Sequence, residues 1–329
     1  MEHIVTLEPE SPFHIGEAGV GLEETSVIVH SDTLFSALCN MYTLLYGGDE
    51  LEAMLEKFDE DPPFLVSSAF LYAGKILTFP LPLGVDWSKF VTDELLEELQ
   101  KDRHELTKEL RSARFVSQDV FLSILKGTPV RISIPPVHNI LFSQSEDPPK
   151  EIFSVSEAPR VAMDRKTHTS AIYHVGEVYY ASDCGLYFFL KTNPEYDKRI
   201  RACINLLGHE GLGGKRTSGR GLFHPDFKKS LRIPQPTMKI TLSLTFPKPK
   251  ELAVVKEGYY RLLSRRGWIY TPRLKSLRKK GVRMLVEGST FPQNVEGQLA
   301  DVTPELIPGI PRIKQYGLGY YLAEGENND

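Results

Sequence analysis

The stretch LLGHEGLGGKRTSGRGLF, Leu206–Phe223, holds six glycines between Gly208 and Gly221, with Lys215, Arg216 and Arg220 set among them. Glycine costs backbone entropy on ordering, so a cluster of it belongs where a chain turns through positive φ or comes close to a ligand. Just before it, PEYDKRIRACINLL (194–207) reads as a helix with Pro in its first turn. Before that helix, GLYFFLKTN (185–193) reads as a strongly apolar strand. The loop is therefore the exit of a helix within a layered α/β unit, and it is basic.

Two familiar phosphate loops are excluded. A P-loop needs glycine in place of His209 and Ser or Thr in place of Arg216. A dinucleotide fingerprint starting at Gly211 and Gly213 needs a third glycine where Arg216 stands. The following HPDFKKSLRIP (224–234) is a poor helix, so no helix N-terminus is offered to a phosphate. What remains is a varied donor set: Thr217 and Ser218 beside Lys215, Arg216 and Arg220, with backbone N–H groups at Gly211, Gly213, Gly214 and Gly219. Such a set suits a string of phosphates and riboses.

Outward from the loop, HIVTLE (3–8) alternates as a strand, and SDTLFSALCNMYTLLYGG (31–48) is a helix capped by Ser31 or Asp32 and stopped by Gly47 and Gly48. DELEAMLEKFDED (49–61) is a short acidic helix, and FLVSSAFLYAGKILTF (64–79) holds two strands. Residues 92–113 form an amphipathic helix with Leu95, Leu99, Leu106 and Leu110 near one face. Residues 135–159, rich in Pro and Ser, read as an exposed excursion. RVAMDRKTHTSAIYHVGEVYYASD (160–183) has two alternating arms about a polar tip and reads as a hairpin. Pro234 and Pro236 mark a boundary between units 1–234 and 235–329. The second unit opens with the strand MKITLSLTF (238–246), continues with a helix over 250–267, and ends in the strands 282–291, 297–304 and 316–323. Strand, helix, then strands in each unit gives an α+β fold with antiparallel sheets.

The chain of 329 residues has a net charge of −4, unevenly spread. Residues 1–74 contain fourteen acidic residues against Lys57 alone, near −13, which leaves 29 acidic and 38 basic residues, near +9, for the rest. A polyanion is repelled by the first part and attracted by the second. The acidic part, with Asp49, Glu50 and Glu52, is expected to face a partner protein. From Lys256 to Arg283, ten basic residues including Arg265 and Arg266 stand against Glu257 alone, with Tyr259, Tyr260, Trp268 and Tyr270 interleaved. This composition fits single-stranded RNA or a solvated face over core aromatics. The three cysteines are odd in number and far apart, which suits reduced thiols in a cytoplasm. No apolar run is long enough for a membrane span. No histidine spacing suggests a metal, and no cofactor is expected.

GLGGKRTSGRGLF (211–223) resembles the glycine-rich loop of the RAMP proteins, RNA-binding subunits of CRISPR effectors. PFHIGE and HSDTLFSAL near the start, and PRVAMDRKTHTSAIYHVGEVYY (159–180), are similar to one branch of them: the fourth subunit of the type III-A (Csm) complex. RRGWIY, KKGVRMLVEGSTF, GQLADVTPE and YGLGYYL carry the same similarity through the second half. The resemblance implies two ferredoxin-like (RRM-like) domains, a glycine-rich loop and an inserted β-hairpin. It implies a non-catalytic holder of the 5′ tag of the guide RNA (crRNA), joined to the large polymerase-like subunit and to the backbone RAMP subunits. The RNA-binding candidates are then His30, Arg160, Arg165, Lys166, His168, the loop residues Gly211, Gly213–Arg220, and Arg265 and Arg266. The backbone subunits cut RNA with an Asp in an N-terminal loop, whereas EAGVGLEETSVIV (17–29) has none. Two alternatives stay open: a metal-independent ribonuclease using His14, His30 and Asp32, and a protein scaffold without RNA.

Overall fold

The computed structural model describes residues 1–16, 21–87, 90, 96–97, 100–163, 170–233, 236, 238–268, 277–304 and 312–325. Strand β1 (Glu2–Pro9) is followed by helices α1 (Ser31–Tyr46) and α2 (Gly48–Glu56), then by strands β2 (Phe64–Val66), β3 (Phe70–Ala73) and β4 (Ile76–Pro80). Helix α3 (Arg103–Ser112), β5 (Phe115–Ser117), α4 (Gln118–Lys126) and β6 (Ile140–Leu141) precede a long hairpin, β7 (Phe153–Met163) with β8 (Ser170–Tyr180). Then come β9 (Cys184–Thr192), α5 (Pro194–Glu210) and β10 (Phe223–Lys229).

One sheet organises this part, in the order β10-β1-β9-β3-β4-β5-β6, with β2 pairing further along β9. Its pairs are antiparallel except β5 with β6. The register fixes which ends coincide. Pro9 at the end of β1 pairs with Phe223 at the start of β10, while Glu2 pairs with Lys191 near the end of β9. The glycine loop and the root of the β7–β8 hairpin therefore gather at the end where β1 leaves the sheet. The acidic α2 follows the far end of α1 and lies at the opposite end, where Arg199 of α5 meets Glu50 at 2.8 Å. The acidic run over 49–61 is thus kept away from the loop, while Glu8, Glu10, Glu23 and Glu24 lie at the loop's end of the sheet.

The second half is a set of short antiparallel pairs: β11 (Lys239–Ile240) with β14 (Thr290–Phe291), β12 (Leu262–Arg265) with β13 (Val282–Leu285), and β15 (Ala300–Asp301) with β16 (Lys314–Gln315). Its own apolar cluster is small, built on Val255, Leu285, Phe291 and Val295. Most of its apolar residues join the large core instead. Tyr316 packs at 5.0 Å from Phe35 of α1, and Tyr320 stacks at 6.0 Å from Phe189 of β9. The Tyr316 hydroxyl also binds both backbone groups of Val66. The break between β2 and β3 admits this contact: Ser68 N–H donates to the Leu242 carbonyl, and the Ser67 hydroxyl receives Phe189 N–H. The proposed boundary at Pro234 and Pro236 is thus crossed by a shared core.

Several sequence expectations change. Only Leu252–Lys256 of the helix expected over 250–267 is helical, after a 3-10 turn at Pro249–Glu251. The chain leaves the helix at Gly258, where a Cβ would come within 2.4 Å of the Thr290 carbonyl and the Phe291 ring, and Tyr259 then pairs with Thr290. Side chains from there alternate with period two. Residues 64–79 hold three strands rather than two. The excursion over 135–159 is partly interior, since Ile140, Leu141, Phe142 and Ile152 are buried. Residues 114–134, given no element by the sequence, form β5 and α4; Ser117 caps α4 through Val120 N–H, and Gly127 closes it at φ 64°. Of the amphipathic helix over 92–113, Arg103–Ser112 is helical and buries Leu106 and Leu110, capped by Asp102; Leu95 and Leu99 lie outside the described residues.

Candidate nucleic-acid interface

Helix α5 ends at Gly211, whose φ of 86° is open to glycine and strained for other residues. The chain turns at Gly213 (φ 97°), makes a 3-10 turn over Arg216–Ser218, and passes Gly219 (φ 69°) and Gly221 (φ 77°) into β10. The glycines are needed chiefly because the loop lies on its own protein. A Cβ on Gly213 would stand 2.6 Å from the His14 carbonyl, and one on Gly221 would stand 2.0 Å from the Leu212 carbonyl. The backbone donors are also largely spent within the chain: Gly214 N–H bonds His14 O, Gly221 N–H bonds Pro12 O, and Leu212 N–H bonds Gly221 O. The expectation that these glycines open room for a phosphate is corrected here; at Gly213 and Gly214 the close neighbour is His14. What the loop presents outward is Thr217, Ser218 and Gly219, flanked by half-buried Lys215, Arg216 and Arg220.

The hairpin root meets this loop at a carboxylate. Glu177 of β8 is fully buried, yet it receives Arg220 Nε at 2.7 Å, Arg160 of β7 at 2.8 Å and the Tyr179 hydroxyl at 2.9 Å. Burial alone would raise its pKa; the hydrogen bonds from Arg220, Arg160 and Tyr179 outweigh that and hold it below the usual carboxylate value. The Lys215 ammonium sits 5.0 Å over the Tyr173 ring, and the His14 Nδ1–H donates to Gly176 O at 2.8 Å. Gly176 itself is compelled, because a Cβ there would strike the Glu23 carbonyl. Loop and hairpin are therefore one surface. Arg220 and Arg160 both reach Glu177, and Lys215 and Arg216 belong to the same loop. Beyond the root the hairpin stands free, with Val161, Met163 and Ile172 exposed. Arg165, Lys166 and His168 of the tip lie outside the described residues.

The remaining candidates sit elsewhere. His30 is buried at the start of α1, its Nδ1–H 2.7 Å from Glu287, which the Ser68 hydroxyl also binds. Arg265 is buried as well, with both carboxylate oxygens of Asp32 at 2.8 and 2.9 Å and the Thr33 hydroxyl at 3.0 Å. Gln315 adds a bond to Asp32 at 2.9 Å. Burial would raise the Asp32 pKa, but the Arg265 charge and hydrogen bonds hold it down. These two candidates join the halves of the chain, and Arg266 beside them is exposed. Ser31 and Asp32 do not cap α1 as expected: the N-cap is His30, without a side-chain bond, and the Ser31 hydroxyl receives Leu244 N–H from the second half. His14 and His30 hold separate interior hydrogen bonds, to Gly176 and Glu287. Among the described residues no helix is long and apolar enough to cross a membrane, and no three His, Cys, Asp or Glu side chains gather to hold a metal. Glu177, the hub of the surface, escaped the sequence reading; its one signal is an acidic residue inside the apolar run HVGEVYY.

Two family models match successive parts of the chain. The RAMP superfamily model matches residues 6–224, and the CRISPR Csm4 C-terminal domain model matches residues 235–323. A protein of Thermococcus onnurineus described as CRISPR system Cms protein Csm4 is 29% identical over 265 residues, covering 80% of this chain and 81% of that protein. Its namesake in Methanocaldococcus jannaschii is 26% identical over 347 residues, covering 92% and 89%. Among solved structures, a chain of the Csm3-Csm4 subcomplex of the type III-A CRISPR-Cas interference complex superposes with a TM-score of 0.66 at 20% identity, covering 98% of this chain and 99% of that one. A chain of the Csm1-Csm4 cassette in complex with cA4 gives 0.63 at 22% identity, covering all of both.

Proposed function

The chain belongs to the RAMP superfamily, and we propose that it is the RNA-holding subunit of a type III-A CRISPR interference complex, seating the 5′ repeat-derived tag of the crRNA. It links the large polymerase-like subunit to the backbone RAMP subunits, in keeping with relatives seen in a Csm1-Csm4 cassette and a Csm3-Csm4 subcomplex. The observation that carries the RNA role is the meeting of two separate basic stretches, the glycine loop and the hairpin, on the buried Glu177. The pair fixes the guanidinium groups and leaves Thr217 and Ser218 exposed beside half-buried Lys215 and Arg216. Fixed donors lose little entropy when a phosphate arrives. The exposed Val161, Met163 and Ile172 of the hairpin suit contact with unstacked bases.

Each half is proposed to be a ferredoxin-like domain, 1–234 and 235–329. In the first, β1, α1, β2 with β3, β9, α5 and β10 follow in chain order as β-α-β-β-α-β, and residues 74–183 are an insertion. The role is non-catalytic and the setting cytoplasmic. Sequencing the RNA that copurifies from the host is expected to return one uniform 5′ tag, and guide RNA incubated with the protein is expected to keep its length. Mixed RNA, or shortened guide, would sink this reading. In solution, Lys215→Ala with Arg216→Ala is expected to lower the slope of log affinity against log salt by roughly one to one and a half for single-stranded RNA.

A further inference from the structure

The basic, aromatic stretch of the second half folds into a two-stranded ribbon. Leu262–Arg265 pairs with Val282–Leu285, and the ribbon continues through a bridge between Trp268 and Arg278. Its two faces differ sharply. Arg265 and Met284 point inward, Arg265 onto Asp32. Tyr260, Leu262, Ser264, Arg266 and Trp268, each two residues from the next, are all exposed. Arg283 stands opposite Ser264, and Arg278 lies 4.6 Å over the Trp268 ring. Arg266 lies across Gly281, where an added Cβ would come within 3.1 Å of its Nε.

Two numbers decide what this face is for. Tyr260 is 41% exposed and Trp268 57%, so these rings are not core aromatics. No Asp or Glu occurs between Glu257 and Glu287, so the arginines of the face have no acidic neighbour in the ribbon. Leu262 is its single aliphatic side chain. A protein docking face calls for a broader apolar centre. Rings set among arginines are instead what single-stranded nucleic acid uses, with stacking on the rings and phosphates on the charges. The inner face is clamped to the start of α1 by Asp32 and Arg265, so the outer face is held in place before a ligand comes.

We propose that the outer face of this ribbon is a second contact for the guide RNA strand, stacking bases on Tyr260 and Trp268 and holding phosphates with Arg266, Arg278 and Arg283. The inference rests on the RNA-holding reading above. It is tested in the reconstituted complex, with guide RNA carrying 4-thiouridine through its tag, by mapping photocrosslinked peptides. Wild type is expected to crosslink both at the glycine loop and within 258–268. Tyr260→Ala with Trp268→Ala should abolish the second crosslink, keep the first, and weaken guide binding by roughly tenfold per ring. Arg266→Ala, Arg278→Ala and Arg283→Ala together should lower the salt slope by about two. All five side chains are exposed, so an unchanged melting temperature is expected for both variants. Loop crosslinks without ribbon crosslinks, or a ribbon that crosslinks to a protein subunit or to the target strand, would overturn this inference and leave the loop reading standing. Loss of crosslinks at both places would overturn both.

Discussion

Two carboxylates, Glu177 at the hairpin root and Asp32 at the start of α1, each hold arginine, and their surroundings give those arginines different work. Asp32 and Arg265 are both buried, and the bidentate bond takes Nε and Nη2 of the guanidinium, with Thr33 and Gln315 adding to the network. At Glu177 the carboxylate alone is buried; Arg160 and Arg220 remain partly open, and Lys215 and Arg216 stand nearby. A positive residue can serve a polyanion only if it keeps a water-facing side and a surplus of charge. Arg265 lacks the water-facing side, while Arg160 and Arg220 keep one.

The largest effect is expected from Arg265→Ala, which leaves Asp32 buried without its partner and should cost about 3–5 kcal/mol in denaturant unfolding. RNA contact at the glycine loop by the remaining folded protein should be near wild type. A stable variant with lost RNA affinity would break the contrast. Acid sharpens it further. Asp32, Glu287 and Glu177 all have lowered folded-state pKa values, so their stabilisation is full above the unfolded carboxylate range near pH 4 and is lost as pH falls below it. Unfolding measured from pH 7 down to 3 should show a loss from which Arg265→Ala removes the share of Asp32 and leaves those of Glu287 and Glu177.

Next in size is Gly213→Val. It sets a branched side chain at φ 97° against the His14 carbonyl, and a cost of about 1–3 kcal/mol is expected. The glycine loop is thus a packed part of the fold at Gly213, whereas Gly219, with open space about it, should accept alanine at the cost of its φ alone. Thermal melts of the two variants give the comparison; equal losses would contradict it.

The smallest effect is expected from Glu177→Gln, on the order of 1 kcal/mol, since the amide keeps one acceptor while the charge-assisted bonds weaken. The sensitive readout is amide exchange at the hairpin root, which should quicken around Val175–Val178. Unchanged exchange there would show that Glu177 does not fasten the hairpin to the loop.

Much of this was legible in the residues. Alternation gave β1 and the hairpin, Gly47 closed α1, and the fixed spacing of glycine and basic residues in 208–221 marked the loop. Less legible was the helix expected over 250–267. Its helical pattern was outweighed by a contact from residues 290–291, which local sequence does not display. Segment 114–134 was missed because its cap at Ser117 and stop at Gly127 are single residues in an otherwise mixed stretch.

The sequence by itself determined the element types over most of the first half, the uneven charge, and the loop and hairpin as basic places. Only the tertiary structure decided which charges are free. His30, Asp32, Arg265 and Arg160 carry similar signals along the chain. Whether each faces water depends on partners 257, 233 and 17 residues away in the cases of Glu287, Asp32 and Glu177. Burial and ion pairing arise from contacts between distant segments, so a local pattern can supply the charge but not its neighbour.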